Sequence, residues 1–364
     1  MPGVFAPITG NDVSRPVTLD PVLSSLLVRF REGKTVALAR AISVVEDERD
    51  GFQDLLHAVL EKGPQARRVG FTGPPGAGKS SLVAAAATWY RSQEEFVGVV
   101  AVDPTSPYSG GALLGDRIRM NELATDPGVF IRSMATRGSL GGLATTTKEV
   151  LDLMDAFGFD RVLVETVGVG QTELEITAAA DTVIVVLVPE SGDAIQAMKA
   201  GLMEIADIFV VNKADRPGAQ RLVKEIRQAL HLRAGNALKD VPAHHGVDLG
   251  RVLKTERETD APADTGGWTV PVLATVAQSG EGVPDLLGQI EAHRDWMEGS
   301  GQLAARRRAR SSGRVQDVVN RELKREAWKS DEIGVLLEAG LDRIVTGNAT
   351  PYSVARGILE RLLR

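Results

Sequence analysis

One stretch constrains this chain more than any other: Gly73-Pro74-Pro75-Gly76-Ala77-Gly78-Lys79-Ser80. It fits G-x-x-x-x-G-K-[ST], a phosphate-binding loop. Its flanks fit as well. Arg67 to Thr72 (RRVGFT) reads as a short strand, and Ser80 to Tyr90 (SSLVAAAATWY) is alanine-rich and reads as a helix. Strand, glycine loop and helix together let backbone N–H groups turn inward on phosphates, with the helix dipole adding to the attraction. The expected phosphate contacts are Pro75, Gly76, Ala77, Gly78, Lys79, Ser80 and Ser81. Lys79 is the residue to reach the β- and γ-phosphates, and the Ser80 hydroxyl the one to hold Mg²⁺.

Composition removes several function classes. The formal net charge of −6 gives no electrostatic case for nucleic acid. The absence of cysteine excludes disulfides, thiolate metal sites and a cysteine nucleophile. The first residues (MPGVFAPITGNDVSRP) have no apolar signal core, and the most apolar run, Thr182 to Val188, is too short to span a bilayer. A cytoplasmic protein without membrane contact is expected.

The pattern from residue 67 to about 298 alternates strand and helix. Apolar runs occur at Phe96–Val102, Val129–Ile131, Arg161–Val164, Thr182–Val188, Ile208–Val211 and Val270–Ala274. Such alternation predicts an α/β fold of the P-loop NTPase type: a doubly wound, mostly parallel sheet with ligand loops at the strand C-termini. Helical extensions are expected on both sides. Residues 1–65 form an N-terminal helical arm, with Asp20-Pro21 as N-cap and first helical position. Residues 66–298 form the nucleotide-binding domain, and 299–364 a C-terminal helical arm. Within the domain, 233–267 is polar and reads as an excursion. His244-His245 lies there without a third ligand at a recognisable spacing. Arg306, Arg307, Arg308 and Arg310 open the tail and read as a solvated helix face.

A second motif narrows the nucleotide. Asn212-Lys213-Ala214-Asp215 follows Ile208–Val211 directly and fits N-K-x-D. The Asp215 carboxylate can accept from guanine N1–H and the 2-amino group, donors that adenine lacks at those positions. Asn212 is expected to buttress the loop and the base edge, and the Lys213 stem to cover the base face. Thr275-Val276-Ala277, after the last strand, sits where guanine-binding proteins carry a short base loop, so Val276 and Ala277 join the nucleotide contacts. Glu165-Thr166-Val167-Gly168 stands where such proteins carry D-x-x-G. Glu165 is expected at Mg²⁺, directly or through water, and the Gly168 N–H at the γ-phosphate. Val169 rather than glutamine follows the glycine, so slow intrinsic hydrolysis is expected. Asp103 ends the strand Phe96–Val102 and faces the nucleotide. Asp116 follows the Gly110-Gly111 hinge and reads either as a metal ligand or as a helix N-cap.

The combination GPPGAGKS, VDPTSP…GGALLGDRIRM, ETVGVGQ and PESGDAIQAMKAGLMEIADIFVVNKAD resembles the MeaB/ArgK/MMAA GTPases, chaperones of adenosylcobalamin-dependent methylmalonyl-CoA mutase. The resemblance covers about residues 20–300 well and the tail loosely. It implies GTP/GDP and Mg²⁺ as ligands, a catalytic set of Lys79, Asp103, Asp116, Glu165 and Lys199, and Mg²⁺ held by Ser80, Asp103, Asp116 and Glu165. It also implies a mobile loop at 189–200, with Lys199 catalytic or coupling hydrolysis to the mutase; from the residues alone Lys199 reads as a surface lysine. A homodimer formed through the C-terminal arm is implied too. The chain departs from the family in its long 233–267 segment and in lacking the base-loop serine. No D-x-H-x-x-G cobalamin signature occurs, so the cofactor is expected on the partner. Rival readings are a helper of a different acyl-CoA mutase, a metallochaperone GTPase, a small-molecule P-loop kinase and a non-catalytic scaffold. The lack of cysteine opposes the second, and the guanine motif opposes the third.

Overall fold

Among the described residues, seven strands carry the architecture: β1 (Arg67–Thr72), β2 (Val97–Asp103), β3 (Val129–Ala135), β4 (Arg161–Thr166), β5 (Thr182–Leu187), β6 (Ile208–Asn212) and β7 (Val272–Thr275). In the computed structural model they form one sheet in the order β3-β2-β4-β1-β5-β6-β7. Every pairing is parallel. The structure describes residues 19–60, 63, 65–103, 123–135, 145–166, 175–189, 201–233 and 267–362.

The strands are Val-, Ile- and Leu-rich because both faces are covered, which leaves no position for a polar alternation. All six residues of β4 and of β5 are buried. Successive side chains feed opposite faces. Val69, Phe71, Leu163, Ile184 and Val186 meet α4 (Lys79–Ser92) and the helix Val283–Gly299 on one face. Val100, Val162, Val164 and Val183 meet α1 (Pro21–Arg31), α2 (Thr35–Glu46), α3 (Phe52–Val59) and α5 (Thr145–Phe157) on the other. Val185, Leu187 and Val211 continue that face under α6 (Ala219–Arg233). The helix Val283–Gly299, the next after α6 among the described residues, is α7.

The first three helices share one hydrophobic cluster with the sheet, and the Phe30 ring meets Phe157 of α5 edge-on at 5.2 Å. Asp20 caps α1 as the sequence predicts: its Oδ1 accepts from the Val22 and Leu23 N–H groups at 2.7 and 2.9 Å, with Pro21 in the first turn.

Several strands run further than hydrophobicity indicates. β2, β4 and β6 extend through Asp103, Thr166 and Asn212 because their neighbours keep the ladder going: Val102 stands opposite Thr166, and Asn212 opposite Thr275. β3 continues to Ala135 for the same reason. β7 begins at Val272, after Pro271, whose missing N–H cannot join the ladder.

At the other end of the sheet Arg161 ion-pairs with Glu95 and Glu291, and its guanidinium lies 4.3 Å from the centroid of the Tyr90 ring. The Tyr90 hydroxyl donates to Glu291 at 3.2 Å. Burial pushes the Tyr90 phenol well above the ordinary tyrosine value; Arg161 opposes that rise and Glu291 adds to it.

The chain divides into two compact units, Met1–Leu303 and Ala304–Arg364. The second is helical. It holds all but the first two residues of α8 (Gln302–Lys329), then α9 (Asp331–Val345) and α10 (Pro351–Leu362). Gly340 gives α9 and α10 a close approach, since a Cβ there would lie 2.4 Å from Val354 Cγ1. Val315, Val319 and Leu323 on α8 and Val335 and Leu341 on α9 are exposed apolar side chains. Among the described residues, no helix is long and apolar enough to cross a membrane.

Candidate functional site

A parallel sheet brings all its strand C-termini to one edge, and the phosphate loop, Asp103, Glu165, Asn212–Asp215 and Thr275–Ala277 sit there. β1 leads into the loop Gly73–Gly78 and α4 starts at Lys79. The loop needs glycine for steric reasons at two positions. Gly73 has φ 131°, and a Cβ on it would lie 2.1 Å from the Val186 carbonyl oxygen. Gly78 has φ 87°, and a Cβ on it would lie 2.2 Å from Asn212 Nδ2. Both are backbone conformations that L side chains rarely adopt.

Lys79 is buried, and its Nζ donates to the Gly73 and Pro74 carbonyls at 2.8 and 3.0 Å. The ammonium is thereby folded over the loop that expects the phosphates. Ser80 Oγ donates to Glu165 Oε1 at 2.7 Å, both residues being buried. Glu165 reaches the loop because β4 is the direct neighbour of β1, with Phe71 opposite Glu165. A hydroxyl and a carboxylate are hard oxygen donors of the kind Mg²⁺ takes, and this pair converges beside the phosphate loop.

Asn212, at the end of β6, is buried with both ends of its amide occupied. Nδ2 donates to the Ala77 carbonyl at 2.9 Å. Oδ1 accepts from the Ala277 N–H at 3.1 Å and the Thr275 hydroxyl at 3.2 Å. One side chain thus ties the phosphate loop to the loop after β7. The Ala214 N–H adds a 3.0 Å bond to the Thr275 carbonyl. Lys213 adopts φ 57°, and its Nζ donates to the Gly76 carbonyl at 2.8 Å. Its stem therefore runs between the base motif and the phosphate loop. Asp215 is exposed in the turn that follows. Val276 bridges to Glu281, closing a tight turn around Ala277.

The structure thus brings together Lys79, Ser80, Glu165, Asn212, Lys213 and Ala277, and places Asp215 and Val276 in the adjoining turns. Pro75, Gly76, Ala77, Gly78 and Ser81 lie on the loop and first helical turn. Asp103 ends β2, the strand on the far side of β4; its side chain lies outside the described residues, as do Asp116, Gly168, Lys199, His244 and His245.

Sequence reading gave no role to three threonines, although Thr166 and Thr275 stand within the motifs it singled out. Thr166 Oγ1 donates to Thr72 Oγ1 at 2.9 Å, pinning the ends of β4 and β1 beside the Ser80–Glu165 pair. Thr275 holds Asn212. The available signal was position: each is the last residue of its strand.

Residues 38–332 match the profile of the family described as methylmalonyl-CoA mutase-associated GTPase MeaB. A Pyrococcus abyssi protein that carries a GTPase name is 42% identical over 342 residues, covering 94% of this chain and 97% of that protein. A mouse protein named as the mitochondrial methylmalonic aciduria type A homolog is 33% identical over 293 residues, covering 76% of this chain and 64% of its own length. A crystal structure titled as an LAO/AO transport system kinase superposes with a TM-score of 0.63 at 24% identity, covering 95% of this chain and 100% of that one, and bears out the fold. With the phosphate loop, the N-K-x-D turn and their junction at Asn212 in place, and with the profile matching across the sheet, the chain belongs to the MeaB family of GTPases.

Proposed function

We propose that this chain binds GTP with Mg²⁺, hydrolyses it slowly alone, and serves as a nucleotide-gated chaperone of methylmalonyl-CoA mutase. The observation that carries the nucleotide part is Asn212, which joins the phosphate loop to both base-side loops through three hydrogen bonds. Binding a guanine nucleotide across that junction would engage both halves of the site together. The mutase part is supported by the family's description and by the name of the mouse relative.

The residues divide the work. Loop N–H groups and Lys79 take the phosphates, which requires Lys79 to exchange the Gly73 and Pro74 carbonyls for phosphate oxygens. Ser80 and Glu165 would hold Mg²⁺, with Asp103 and Asp116 completing its oxygen shell. When bound, the ion neutralises charge developing on the phosphates. The Gly168 N–H meets the γ-phosphate and reports its loss. Asp215 selects guanine, with Val276 and Ala277 beside the base and Lys213 covering its face. Lys199 couples hydrolysis to the mutase. Val169, where a water-orienting glutamine would stand, fits a slow enzyme that a partner accelerates. GTP hydrolysis then gates adenosylcobalamin loading or exchange on the mutase. The exposed apolar residues of α8 and α9 fit a homodimer contact through residues 304–364.

The test is the hydrolysis rate of GTP, with ATP as control, with and without the methylmalonyl-CoA mutase of the same source. GTP-specific stimulation by the mutase is the expected result. GTP hydrolysis without stimulation points to a different acyl-CoA mutase. Preference for ATP overturns the reading of Asn212–Asp215 and supports the small-molecule kinase. Lys199→Ala is expected to leave GDP binding intact and abolish the stimulation.

A further inference from the structure

On the sheet face opposite α4, helices α1 and α2 enclose a groove of about 930 Å³ that is open along one side. Leu23, Leu26 and Ala37, all buried, form its apolar floor, and Val22 and Val36 line it at 77% and 67% exposure. Its rim is cationic. Arg29, Lys34 and Arg40 line it, and no described carboxylate pairs with any of the three. Arg49 also lines it but is paired with Asp47, and among the described lining residues Glu32 is the one acid. A chain of net charge −6 thus gathers unpaired cations around one apolar trough. Exposed valines on adjacent helices, above a buried apolar floor, suit the apolar ridge of a further helix. A half-open groove suits a helix better than it suits an enclosed small molecule.

We propose that this groove docks an acidic amphipathic helix of a partner protein. The apolar face of that helix packs between Val22 and Val36, and its flanking carboxylates meet Arg29, Lys34 and Arg40. The charge pattern selects the partner and steers its approach, so docking weakens as salt rises. This site is separate from the nucleotide edge and stands whichever acyl-CoA mutase the GTPase serves.

The test uses the full chain and a fluorescein-labelled helical peptide of about 18 residues, long enough to hold helix in water. The peptide carries leucines on one face and glutamates on the flanks; a control carries lysines in place of the glutamates. Fluorescence anisotropy should show the acidic peptide binding at least about tenfold more tightly at low salt. Arg29→Glu with Arg40→Glu should lose about tenfold or more of that affinity, and Val36→Asp should abolish binding. If the charge-reversed protein melts early, Arg29→Gln with Arg40→Gln replaces it, with the same direction expected. Equal binding of the two peptides overturns the proposal. So does displacement of the probe by a peptide of residues 1–18 at equal affinity, which makes the chain's own arm the occupant. Co-sedimentation with phosphatidylserine vesicles that the same variants abolish also overturns it, in favour of a lipid surface.

Discussion

Ser80 Oγ donates a 2.7 Å hydrogen bond to Glu165 Oε1 across the junction of the phosphate loop and β4. Both groups are buried, so this pair presents two oxygens to the interior of the site while each stabilises the other. An ion that took the same two oxygens would replace the direct contact, and nucleotide binding would then depend on that ion.

Ser80→Ala removes one oxygen and leaves the Glu165 carboxylate with one donor fewer. GTP affinity with Mg²⁺ present should fall at least about tenfold, in line with the cost of disturbing a metal's ligand shell. GDP affinity in EDTA should change much less. Titration of a fluorescent nucleotide with and without Mg²⁺ reads both numbers. An equal loss in the two conditions would remove Ser80 from metal binding.

Asp215→Asn exchanges a carboxylate acceptor for an amide. A hydrogen bond to a charged group contributes about 1.5–3 kcal/mol, so GTP should bind about 10- to 150-fold more weakly. Xanthine nucleotide, which carries an oxygen in place of the 2-amino group, should gain on GTP. Competition binding with GTP and XTP measures the switch, and an unchanged GTP affinity would sink the assignment.

Asn212→Ala strips three hydrogen bonds from the junction of the two loops. It leaves a buried carbonyl and an amide N–H without their partner, at about 1–3 kcal/mol for each unsatisfied group. Thermal unfolding should shift to lower temperature even without nucleotide, and nucleotide binding should weaken further. A variant that loses nucleotide binding with no loss of apo stability would contradict the structural role.

Gly73→Ala places a methyl 2.1 Å from the Val186 carbonyl oxygen at φ 131°. The obstacle is backbone on the neighbouring strand, so β5 or the loop has to move. A compatible glycine replacement adds roughly 0.4–1 kcal/mol of stability; here stability should instead fall by more than that amount, and phosphate affinity should fall with it. Gly76 has φ 73° but open space around its Cβ position. Gly76→Ala should therefore carry the conformational strain alone and be the milder of the two, as paired denaturant melts would show.

Tyr90 provides a pH signature. Its phenol titrates well above the ordinary value, through burial first and Glu291 second, against the opposing charge of Arg161. A group with a raised folded pKa contributes stability that is complete below its unfolded pKa and is lost as pH rises toward the folded one. Stability should therefore decline above about pH 10, the unperturbed tyrosine value. Tyr90→Phe should flatten that alkaline decline while lowering stability at neutral pH through the lost hydroxyl bond to Glu291. Denaturant midpoints between pH 7 and pH 11 distinguish the two profiles.

Much of the molecule was legible in the order of its residues. G-x-x-x-x-G-K-[ST] between an apolar run and an alanine-rich one specifies strand, loop and helix locally. Asp20-Pro21 specifies a helix start for reasons contained within four residues. Asn212–Asp215 fits N-K-x-D through four consecutive residues, so the motif is visible without knowing what surrounds it. Less legible were the strand ends, where Asp103, Thr166 and Asn212 join the sheet because a neighbour pairs with them and not because they are apolar.

Tertiary structure alone decided which motifs meet. Ser80 and Glu165 are 85 positions apart, and Asn212 and Ala77 are 135 apart. No local pattern fixes those distances. The order β3-β2-β4-β1-β5-β6-β7 does, by seating β4 directly against β1 and setting β6 one strand beyond β5. Local sequence supplies the elements and their chemistry, because propensity, capping and hydrogen-bonding capacity act over a few residues. Adjacency in a parallel sheet depends on which covering helices bury which faces, and that choice is made by the whole chain at once.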